Sequence, residues 1–530
     1  MSAKYFVNNN NHGSDDGDGF GRGSLAGYEP VPKFYAGKDV FLTGGTGFMG
    51  KVLIEKLLRS CPEVRRIYVL MRCKKGKTPE ARVQEMTNNP FFACLKKQDP
   101  TALKKLVPVY GDCMKLRLGM SPEDIQRLQS VAIVFHLAAS VRFNDPLKDA
   151  ILTNVLSTRE MFEICLGLPA LEAVVHVSTA FSNPEQKQME ERLYQPKADW
   201  KRMLECALKF DSQMLNILTE KITNFAPNTY TFTKGLAEQV CKDYQNQLPL
   251  VIFRPSVVVN TIDEPIVGWI DNFNGPSGML VGAGTGVVRT SLMPIDNRLN
   301  TIPADISIKG LILAAWRRGT REQAFRDQFL PIYNSAVEYE HSWHFKKMLD
   351  CGKENMTKMS FNRLLWVPGG SPTTSKFKYF LLVLFTHILP AILVDTLCIL
   401  LRKPPFLLKV QRKVLLMEAS LRYFIHNQWN FETERFRSLR DDLRGDDIST
   451  FSWHLSEEKI DQYYLDCWHG VRKYLLNEPD ETLPETNRRM ERLIIVDRFL
   501  KIAFCLLVGY LIVKSSLFHS LETKLVRFAR

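Results

Sequence analysis

The chain has 530 residues, of which 45% are hydrophobic and 24% charged, and its formal net charge is +13. This length exceeds one ordinary hydrophobic core, so we expect at least two domains. The 11 cysteines form no CxxC pair, which argues against a disulfide framework and a zinc site, and for a reducing compartment. The basic excess suits an acidic substrate or an anionic membrane surface. No basic run with interleaved aromatic residues stands out, so we expect no nucleic-acid partner.

Residues 1–29 are rich in Asn, Gly, Asp and Ser. Such a segment buries too little apolar surface to offset its chain entropy, so we expect it to be disordered. It contains no apolar run of the kind found in a secretory signal, and we expect no such signal here.

A glycine-rich turn follows the first predicted strand, Val40 to Leu42, and precedes an apolar pattern of helical spacing that runs to Leu58. Its glycines stand at positions 44, 47 and 50. In a dinucleotide-binding fold the first allows the tight turn, the second admits the pyrophosphate, and the third lets helix pack on strand. The helix N-terminus then faces the phosphates. An ordinary glycine-rich loop is the alternative, but the flanking strand and helix favour a nucleotide site.

The second predicted strand runs from Ile67 to Arg72. An NAD-binding fold has an acidic residue at this strand end for the ribose 2′-hydroxyl, whereas this chain has Arg72, followed by Lys74 and Lys75. A cation there suits the 2′-phosphate of NADP, although a solvated basic loop has the same composition. We therefore predict NADPH as the cofactor.

Four further apolar runs predict parallel strands at residues 106–112, 131–139, 172–179 and 250–255. Ligands bind at the carboxyl ends of such strands. Asp112 ends the third strand and could accept from the adenine amino group or belong to a turn. Small residues such as Ala138 end the fourth strand and would let the backbone pass close to a cofactor. His136 lies inside an apolar run and is expected to pack in the core.

Tyr230 and Lys234 lie four residues apart, so on a helix they share one face. A carbonyl that accepts hydride develops negative charge on its oxygen. Tyr230 could protonate that oxygen, with Thr179 or Ser178 as a second donor. Lys234 is expected to lower the pKa of the tyrosine and to hold the nicotinamide ribose. An exposed helix pair is the alternative, but the order of the motifs favours catalysis.

Three segments beyond the fifth strand complete the predicted reductase domain. The charged insertion from about residue 183 to 224 is expected to be helical and to lie over the site. The glycine cluster Gly282 to Gly286 is expected to form a substrate-side loop, because no clear strand precedes it and no amphipathic helix follows. Asp305 to Trp316 predicts a helix that closes this domain.

The motifs together resemble the extended short-chain dehydrogenase/reductases and, more closely, the alcohol-forming fatty acyl-CoA reductases. The resemblance runs from about Val31 to Leu476 and rests on residues 43–51, 135–139, 176–180, 230–238, 275–278 and 284–286. Gln462 stands where the family usually has Trp, which puts one packing contact in doubt. The family implies an α/β fold, a Rossmann-type doubly wound parallel sheet, followed by a small, mainly helical C-terminal domain with one or two membrane-associated helices.

The resemblance also implies the site residues. Tyr230 and Lys234 are the predicted catalytic pair, and alignment on Ala180 favours Thr179 over Ser178 as the hydroxyl without deciding between them. The predicted cofactor-binding residues are Thr43, Gly44, Gly47, Phe48, Met49, Gly50, Arg72, Asp112, Ala138, Lys234 and Pro255.

The activity that the family implies is the reduction of a long-chain or very-long-chain acyl-CoA to a primary alcohol. Two hydride deliveries from two NADPH would pass through the aldehyde. Two other hypotheses remain open. One is a membrane-bound enzyme of the same fold that acts on a sterol, a sugar or another lipid carbonyl, and the other is an inactive NADP-binding membrane scaffold.

The C-terminal third contains two apolar segments, residues 379–401 and 493–514. The first is long enough to cross a bilayer, but it contains His387 and Asp395, and ionisable groups are costly there. It could span, act as a monotopic or re-entrant anchor, or pack on the reductase domain as part of an acyl pocket. We expect membrane association, with the endoplasmic reticulum and a cytosolic reductase domain preferred over a peroxisomal membrane or a lipid droplet.

The predicted domain boundaries follow from these changes of composition. They are a disordered segment 1–29, a reductase domain 30–365, a linker 366–378, an apolar segment 379–401, a helical domain 402–490, a second apolar segment 493–514 and a basic tail 515–530.

Overall fold

The computed structural model describes residues 27–74, 76–320, 330–338 and 342–514. The predicted disordered segment, apart from its last three residues, and the predicted basic tail therefore lie outside the described residues.

A seven-stranded parallel sheet forms the centre of the molecule, in the order β11-β7-β5-β4-β1-β2-β3. The six predicted strands are all present, and the seventh, β11, was not predicted. Six shorter strands pair outside this sheet. The strands are β1 (Asp39–Thr43), β2 (Arg66–Met71), β3 (Leu106–Tyr110), β4 (Val131–His136), β5 (Ala173–Val177), β6 (Gln188–Met189), β7 (Leu250–Pro255), β8 (Val257–Val259), β9 (Arg298–Leu299), β10 (Thr301–Pro303), β11 (Ile332–Ser335), β12 (Trp343–His344) and β13 (Asn430–Phe431).

Helices cover both faces of the sheet and build the C-terminal region, so the predicted fold class is confirmed. The α-helices are α1 (Val31–Tyr35), α2 (Phe48–Ser60), α3 (Pro79–Thr87), α4 (Ala93–Gln98), α5 (Pro122–Arg127), α6 (Leu147–Ile151), α7 (Ser157–Cys165), α8 (Trp200–Lys209), α9 (Ser212–Ile222), α10 (Thr229–Tyr244), α11 (Pro276–Gly284), α12 (Ala304–Thr320), α13 (Phe345–Asn355), α14 (Lys376–Val383), α15 (Leu389–Leu400), α16 (Leu407–His426), α17 (Glu434–Asp441), α18 (Asp446–Phe451), α19 (Glu457–Gly470) and α20 (Leu483–Lys514).

Shorter helical turns complete the list. π-helical turns at Leu152–Leu156 and Leu384–Ile388 join α6 to α7 and α14 to α15, and a third at Val471–Leu475 extends α19. Turns of 3-10 helix lie at Pro90–Phe92, Ala102–Lys105, Leu116–Gly119 and Asp480–Thr482.

The sheet has a hydrophobic core on each face because successive strand residues point to opposite sides. In β1, Val40 and Leu42 join the core that contains α2 and α12, whereas Phe41 joins the core that contains α7 and α10. Both faces are therefore covered, as a parallel sheet requires.

The C-terminal helices share the first of these cores. Phe436, Leu439 and Trp453 belong to it, and a Cβ atom on Gly310 of α12 would lie 2.3 Å from the Phe436 ring. Strand β13 also pairs with β6 of the predicted reductase domain. The domain boundaries at residues 365 and 402 remain predictions, but the C-terminal region packs directly on the sheet.

Three predicted segments have defined structure. The glycine cluster at 282–286 is a helix and not the expected loop, because α11 runs to Gly284 and only Gly286 adopts the left-handed conformation, with φ +74°. The predicted linker is attached to the preceding loop, since Thr373 N–H donates to Ser291 and Met293 N–H donates to Thr373, each at 3.0 Å. The helix expected over Asp305 to Trp316 is present as α12.

Candidate functional site

The glycine turn after β1 fits the approach of a dinucleotide. Gly44 has φ +76°, and a Cβ atom on it would lie 2.8 Å from the backbone nitrogen of Ala138. A Cβ atom on Gly50 would lie 2.3 Å from the Gly44 carbonyl oxygen, so α2 can approach the turn only with glycine there. Gly47 is the N-cap of α2, and no side chain caps this end of the helix. The free N–H groups of its first turn can therefore bind phosphate.

Hydrogen bonds hold the ends of β1 and β4 together beside this turn. Ala138 N–H donates to Thr43 Oγ1 at 3.1 Å, and the Thr43 hydroxyl lies 2.8 Å from His136 Nδ1. Burial lowers the pKa of His136 to about 3, so the ring is neutral at physiological pH. His136 is packed in the core, as predicted, and positions Thr43.

Phe48 and Met49, both half-buried, occupy the first turn of α2. The Phe48 ring stacks on Trp269, with centroids 5.3 Å apart and 23° between the planes, and Met49 packs against the first core. Their side chains anchor the helix start, which leaves their backbone N–H groups for a ligand.

A pair of guanidinium groups lies where the adenosine ribose is expected. Arg82 in α3 donates to the Arg72 carbonyl at 2.7 Å and to Thr46 Oγ1 in the glycine turn at 3.2 Å. Burial and the neighbouring Arg72 charge both lower the pKa of Arg82. Among the described residues, neither arginine has a carboxylate within ion-pair distance. The sequence analysis identified Arg72 but not Arg82. The signal that could have identified Arg82 was an arginine in the helix that follows the basic loop.

Asp112 lies just beyond β3 and forms a turn. Its Oδ1 accepts from Met114 N–H at 3.1 Å, and its own N–H donates to the Leu118 carbonyl at 2.6 Å. Asp112 therefore stabilises a turn, and its contact with adenine remains a prediction.

Tyr230 is placed by the first turn of α10, where Asn228 caps the helix by accepting from Thr231 N–H at 2.9 Å. Its side chain is half-buried, yet the surrounding protein raises the pKa of its hydroxyl to about 12. The Thr179 hydroxyl interacts with it and partly offsets this rise. At neutral pH the phenol is thus protonated and can donate a proton.

Lys234 lies one turn after Tyr230 and is buried. Its Nζ donates to the Val177 carbonyl at 2.7 Å, at the end of β5. Burial lowers the pKa of Lys234 to about 8, so the ammonium form still predominates at pH 7. The expectation that Lys234 lowers the pKa of Tyr230 is wrong for this structure, because burial dominates at the tyrosine and the ammonium group is bound elsewhere.

The two candidate hydroxyls have different partners. Ser178 donates to Glu238 at 2.6 Å, and Glu238 in turn forms a two-bond ion pair with the fully buried Arg254. Thr179 follows Ser178 and instead interacts with Tyr230. Ala180 N–H donates to the Pro255 carbonyl at 2.9 Å, which brings the ends of β5 and β7 together.

Aromatic side chains cover Tyr230. Phe143, from the loop after β4, stacks on it with centroids 6.0 Å apart and 27° between the planes. Phe424, from α16, lies 5.1 Å from Phe143 and 5.3 Å from Phe181. A residue of the C-terminal helices thus belongs to the candidate site.

The insertion at 183–224 is helical over α8 and α9, as predicted, but these helices do not cover the site. Trp200 and Leu204 share a core cluster with Phe232 and Leu236 of α10. At helical spacing those two α10 residues lie on the face opposite Tyr230. Helices α8 and α9 therefore pack behind α10.

Asn154 is a further positioning residue that sequence reasoning missed. It lies in the π-helical turn between α6 and α7, accepts from Ser140 N–H at 2.9 Å and donates to Thr233 Oγ1 at 2.8 Å. It thereby ties the loop that carries Phe143 to α10. Its sequence signal is weak, since a single Asn inside a helix has no distinctive pattern.

An apolar cavity of about 50 Å³ lies between β8, α11 and α19. Its lining includes Leu280, Trp343, Cys351, Cys467 and Trp468.

Comparisons with known proteins agree with this fold. A family model described as male sterility protein, an NAD-binding domain, matches residues 42–311, and a second model with that description matches residues 386–478. Fatty acyl-CoA reductase wat of Drosophila melanogaster is 35% identical over 465 residues, 88% of this chain and 89% of that protein. Fatty acyl-CoA reductase 1 of Homo sapiens is 34% identical over 468 residues, 87% of this chain and 89% of that protein.

A solved structure resembles the chain at the level of fold. The reductase domain of a nonribosomal peptide synthetase from Mycobacterium tuberculosis has a TM-score of 0.56 at 17% identity, and the match covers 84% of this chain and 94% of that one.

Proposed function

Because the chain belongs to the fatty acyl-CoA reductase family, we propose that this oxidoreductase reduces a long-chain or very-long-chain acyl-CoA to the primary alcohol with NADPH. The single observation that carries the proposal is the position of Tyr230 and Lys234 at the carboxyl end of β5, where Lys234 Nζ, one helical turn after Tyr230, donates to the Val177 carbonyl at 2.7 Å. Lys234 lies on the same helix, and the glycine turn with its free helix N-terminus lies at the same edge of the sheet.

Tyr230 and Thr179 have the protonation and position needed for a carbonyl reduction. A bound nicotinamide supplies hydride to the carbonyl carbon. Tyr230, protonated because its pKa is raised, gives its proton to the carbonyl oxygen, and Thr179 donates a second hydrogen bond to the same oxygen. Lys234, still an ammonium group at pH 7, is the group proposed to hold the nicotinamide ribose.

Two rounds of this reaction balance the conversion. In the first, hydride adds to the thioester carbon and Tyr230 protonates the oxygen. As the C=O bond re-forms, the oxygen returns this proton to Tyr230, the C–S bond breaks, the CoA sulfur leaves as thiolate and the aldehyde forms. In the second, hydride adds to the aldehyde carbon and a proton to its oxygen, which gives the primary alcohol. The proposed consumption is therefore two NADPH for each CoA released.

An assay on membranes that contain the full chain tests this function. We expect mass spectrometry to detect primary alcohol from acyl-CoA substrates of medium to very long chain, with an NADPH to CoA ratio of two. A ratio of one with aldehyde as the end product would limit the protein to the first reduction. Turnover of a sterol or sugar substrate without any acyl-CoA reduction would overturn the proposal.

The choice of NADPH over NADH is supported by Arg72 and Arg82. The Arg82 guanidinium lies beside the glycine turn, where it donates to Thr46, and the Arg72 charge acts on it. Neither arginine has an ion-pair partner among the described residues, and a 2′-phosphate supplies the matching charge. We expect Arg82→Ala to raise the KM for NADPH by about 10- to 100-fold, since a charge-assisted hydrogen bond contributes about 1.5–3 kcal/mol. Steady-state kinetics with NADPH and with NADH measure the two KM values.

The matched control for Arg82 is Arg66→Ala, at the opposite, amino end of β2, where the guanidinium donates to Tyr68. It should leave both KM values unchanged. Equal loss of NADH and NADPH affinity in Arg82→Ala would show that the arginine supports the fold of the turn and does not recognise the 2′-phosphate.

A pair of neighbouring substitutions separates the two hydroxyls. We expect Thr179→Val to lower kcat by about 10²- to 10³-fold, the usual cost of one donor to a developing oxyanion. Ser178→Ala should keep kcat within about tenfold, because Ser178 donates to Glu238, and should instead lower the melting temperature. The reverse ranking of the two kcat values would assign the catalytic hydroxyl to Ser178.

A further inference from the structure

A helical hairpin exposes a broad apolar surface. Its first arm is the continuous helix Lys376–Leu400, and its second arm is α16; residues 401–406 form the turn between them. Among the described residues, the first arm is the one helix long and apolar enough to cross a bilayer. Phe377, Leu393 and Leu400 are 70–75% exposed. Soluble proteins rarely expose an apolar face of this kind, so the face needs an occupant.

His387 and Asp395, the ionisable side chains within the apolar stretch of the first arm, point the other way, into the protein. His387 is 1% exposed, and its Nε2 accepts from the backbone N–H groups of Arg289 and Thr290 at 3.1 and 3.2 Å. Its Nδ1 lies 2.8 Å from Gln411 Oε1 in the second arm. The midpoint of the apolar helix is therefore bound to a loop of the globular domain.

Asp395 fixes the turn of the hairpin. Its carboxylate accepts from the N–H groups of Phe406, Leu407 and Leu408, at 2.8–2.9 Å, and so caps the start of α16. The second arm must then run back along the first. It exposes Lys409, Arg412, Lys413 and Arg422.

The contacts of His387 and Asp395 are incompatible with a first arm that spans the bilayer. A helix of 25 residues is about 38 Å long, and His387 lies near its middle. If the first arm crossed a hydrocarbon core of about 30 Å, the Arg289–Thr290 backbone would lie at the bilayer centre. The second arm would then carry four cations back through the membrane, at about 2.5–3.5 kcal/mol for each one at the centre.

We propose that the hairpin lies along the plane of one leaflet of a lipid bilayer, with both arms and the turn on the same side of the membrane and neither arm crossing it. The exposed apolar side chains face the acyl layer, and the exposed Lys376, Lys378, Lys403 and Lys409 meet anionic headgroups.

A second apolar surface adjoins the hairpin. In α20, Asp497 accepts from the Trp366 indole at 2.6 Å, and beyond it Phe499, Phe504 and Leu506 are 65–70% exposed. Arg289, whose backbone binds His387, also interacts electrostatically with Asp497. The loop at Arg289 thus joins the hairpin and the distal half of α20 into one membrane-facing side.

The second arm connects this surface to the candidate site, because Phe424 near its end contacts Phe143 above Tyr230. The proposed topology does not depend on the proposed reaction, and its tests use no activity measurement.

The occupant of the apolar face is tested by fluorescence quenching on the full chain with its exposed Cys73, Cys94 and Cys505 changed to serine. A nitrobenzoxadiazole label on Leu393→Cys should be quenched by vesicles that contain lipids brominated in the acyl chain. The same label on Leu208→Cys, a 52% exposed leucine of α8, should not be quenched. Without quenching at position 393, a second protein copy covers the face and the proposal fails.

Labelling in sealed microsomes tests whether the hairpin crosses. In the same serine background, Lys403→Cys in the turn should react with a membrane-impermeant maleimide before detergent is added, as should a chain in which Cys94 is the one exposed cysteine retained. If position 403 reacts only after detergent while Cys94 reacts before it, the first arm spans the bilayer and the proposed topology is wrong.

Discussion

Replacing Tyr230 with Phe is expected to lower kcat for acyl-CoA reduction by about 10²- to 10⁴-fold, the usual contribution of a general acid. The change removes only the hydroxyl and keeps the ring, so the stacking on Phe143 should persist. Affinity for NADPH should change little, because Tyr230 lies on α10, whereas the glycine turn and Arg82 are held by α2 and α3. Single-turnover kinetics and a fluorescence titration with NADPH measure the two quantities separately.

Tyr244→Phe is the matched control for this loss. Tyr244 ends the same helix, and its hydroxyl donates to Glu163 at the surface, away from the predicted site. Loss of the Tyr244 hydroxyl should leave kcat for acyl-CoA reduction unchanged. Full activity of Tyr230→Phe would contradict the proposed proton donor, and an equal loss in both variants would point to damage of α10.

Gly50→Ala is expected to weaken NADPH binding by about 5- to 150-fold. The new methyl group would lie 2.3 Å from the Gly44 carbonyl oxygen and 2.6 Å from Gly45 Cα. These are backbone atoms of the turn, so the clash can be relieved only by moving α2 away from it, and overpacking costs about 1–3 kcal/mol. Isothermal titration with NADPH measures the loss, and thermal melting shows whether the fold survives.

Gly369→Ala makes the same chemical change where no neighbouring atom lies within 4 Å. Affinity for NADPH should be the same as in the parent protein. If Gly50→Ala also bound NADPH normally, the close packing of α2 on the turn would not be needed for the cofactor.

The residues that pack over Tyr230 show which contacts local sequence patterns do not predict. The insertion at 183–224 was placed over the site because it is charged and helical, and its helices are present. The residues that cover Tyr230, however, are Phe143 and Phe424, which lie 281 positions apart in the chain. No periodicity or motif links such distant residues, because their contact depends on how α16 packs against the loop after β4.

The sequence alone determined the features that arise within one short segment. Glycines at 44, 47 and 50 imply the turn because each is required by the steric conditions of its own position. The six apolar runs imply parallel strands, and the four-residue spacing places Tyr230 and Lys234 on one helix face. Family resemblance then indicated the reaction class.

Only the tertiary structure decided the features that depend on which segments meet. Alignment on Ala180 favours Thr179 over Ser178 without deciding between them, whereas in the structure Ser178 donates to Glu238 and Thr179 interacts with Tyr230. Likewise His387 and Asp395 look costly in an apolar helix until Arg289, Thr290 and the start of α16 are placed against them. The physical reason is that a polar group's environment and pKa depend on its partners in space, and hydrogen bonds between distant segments leave no local pattern.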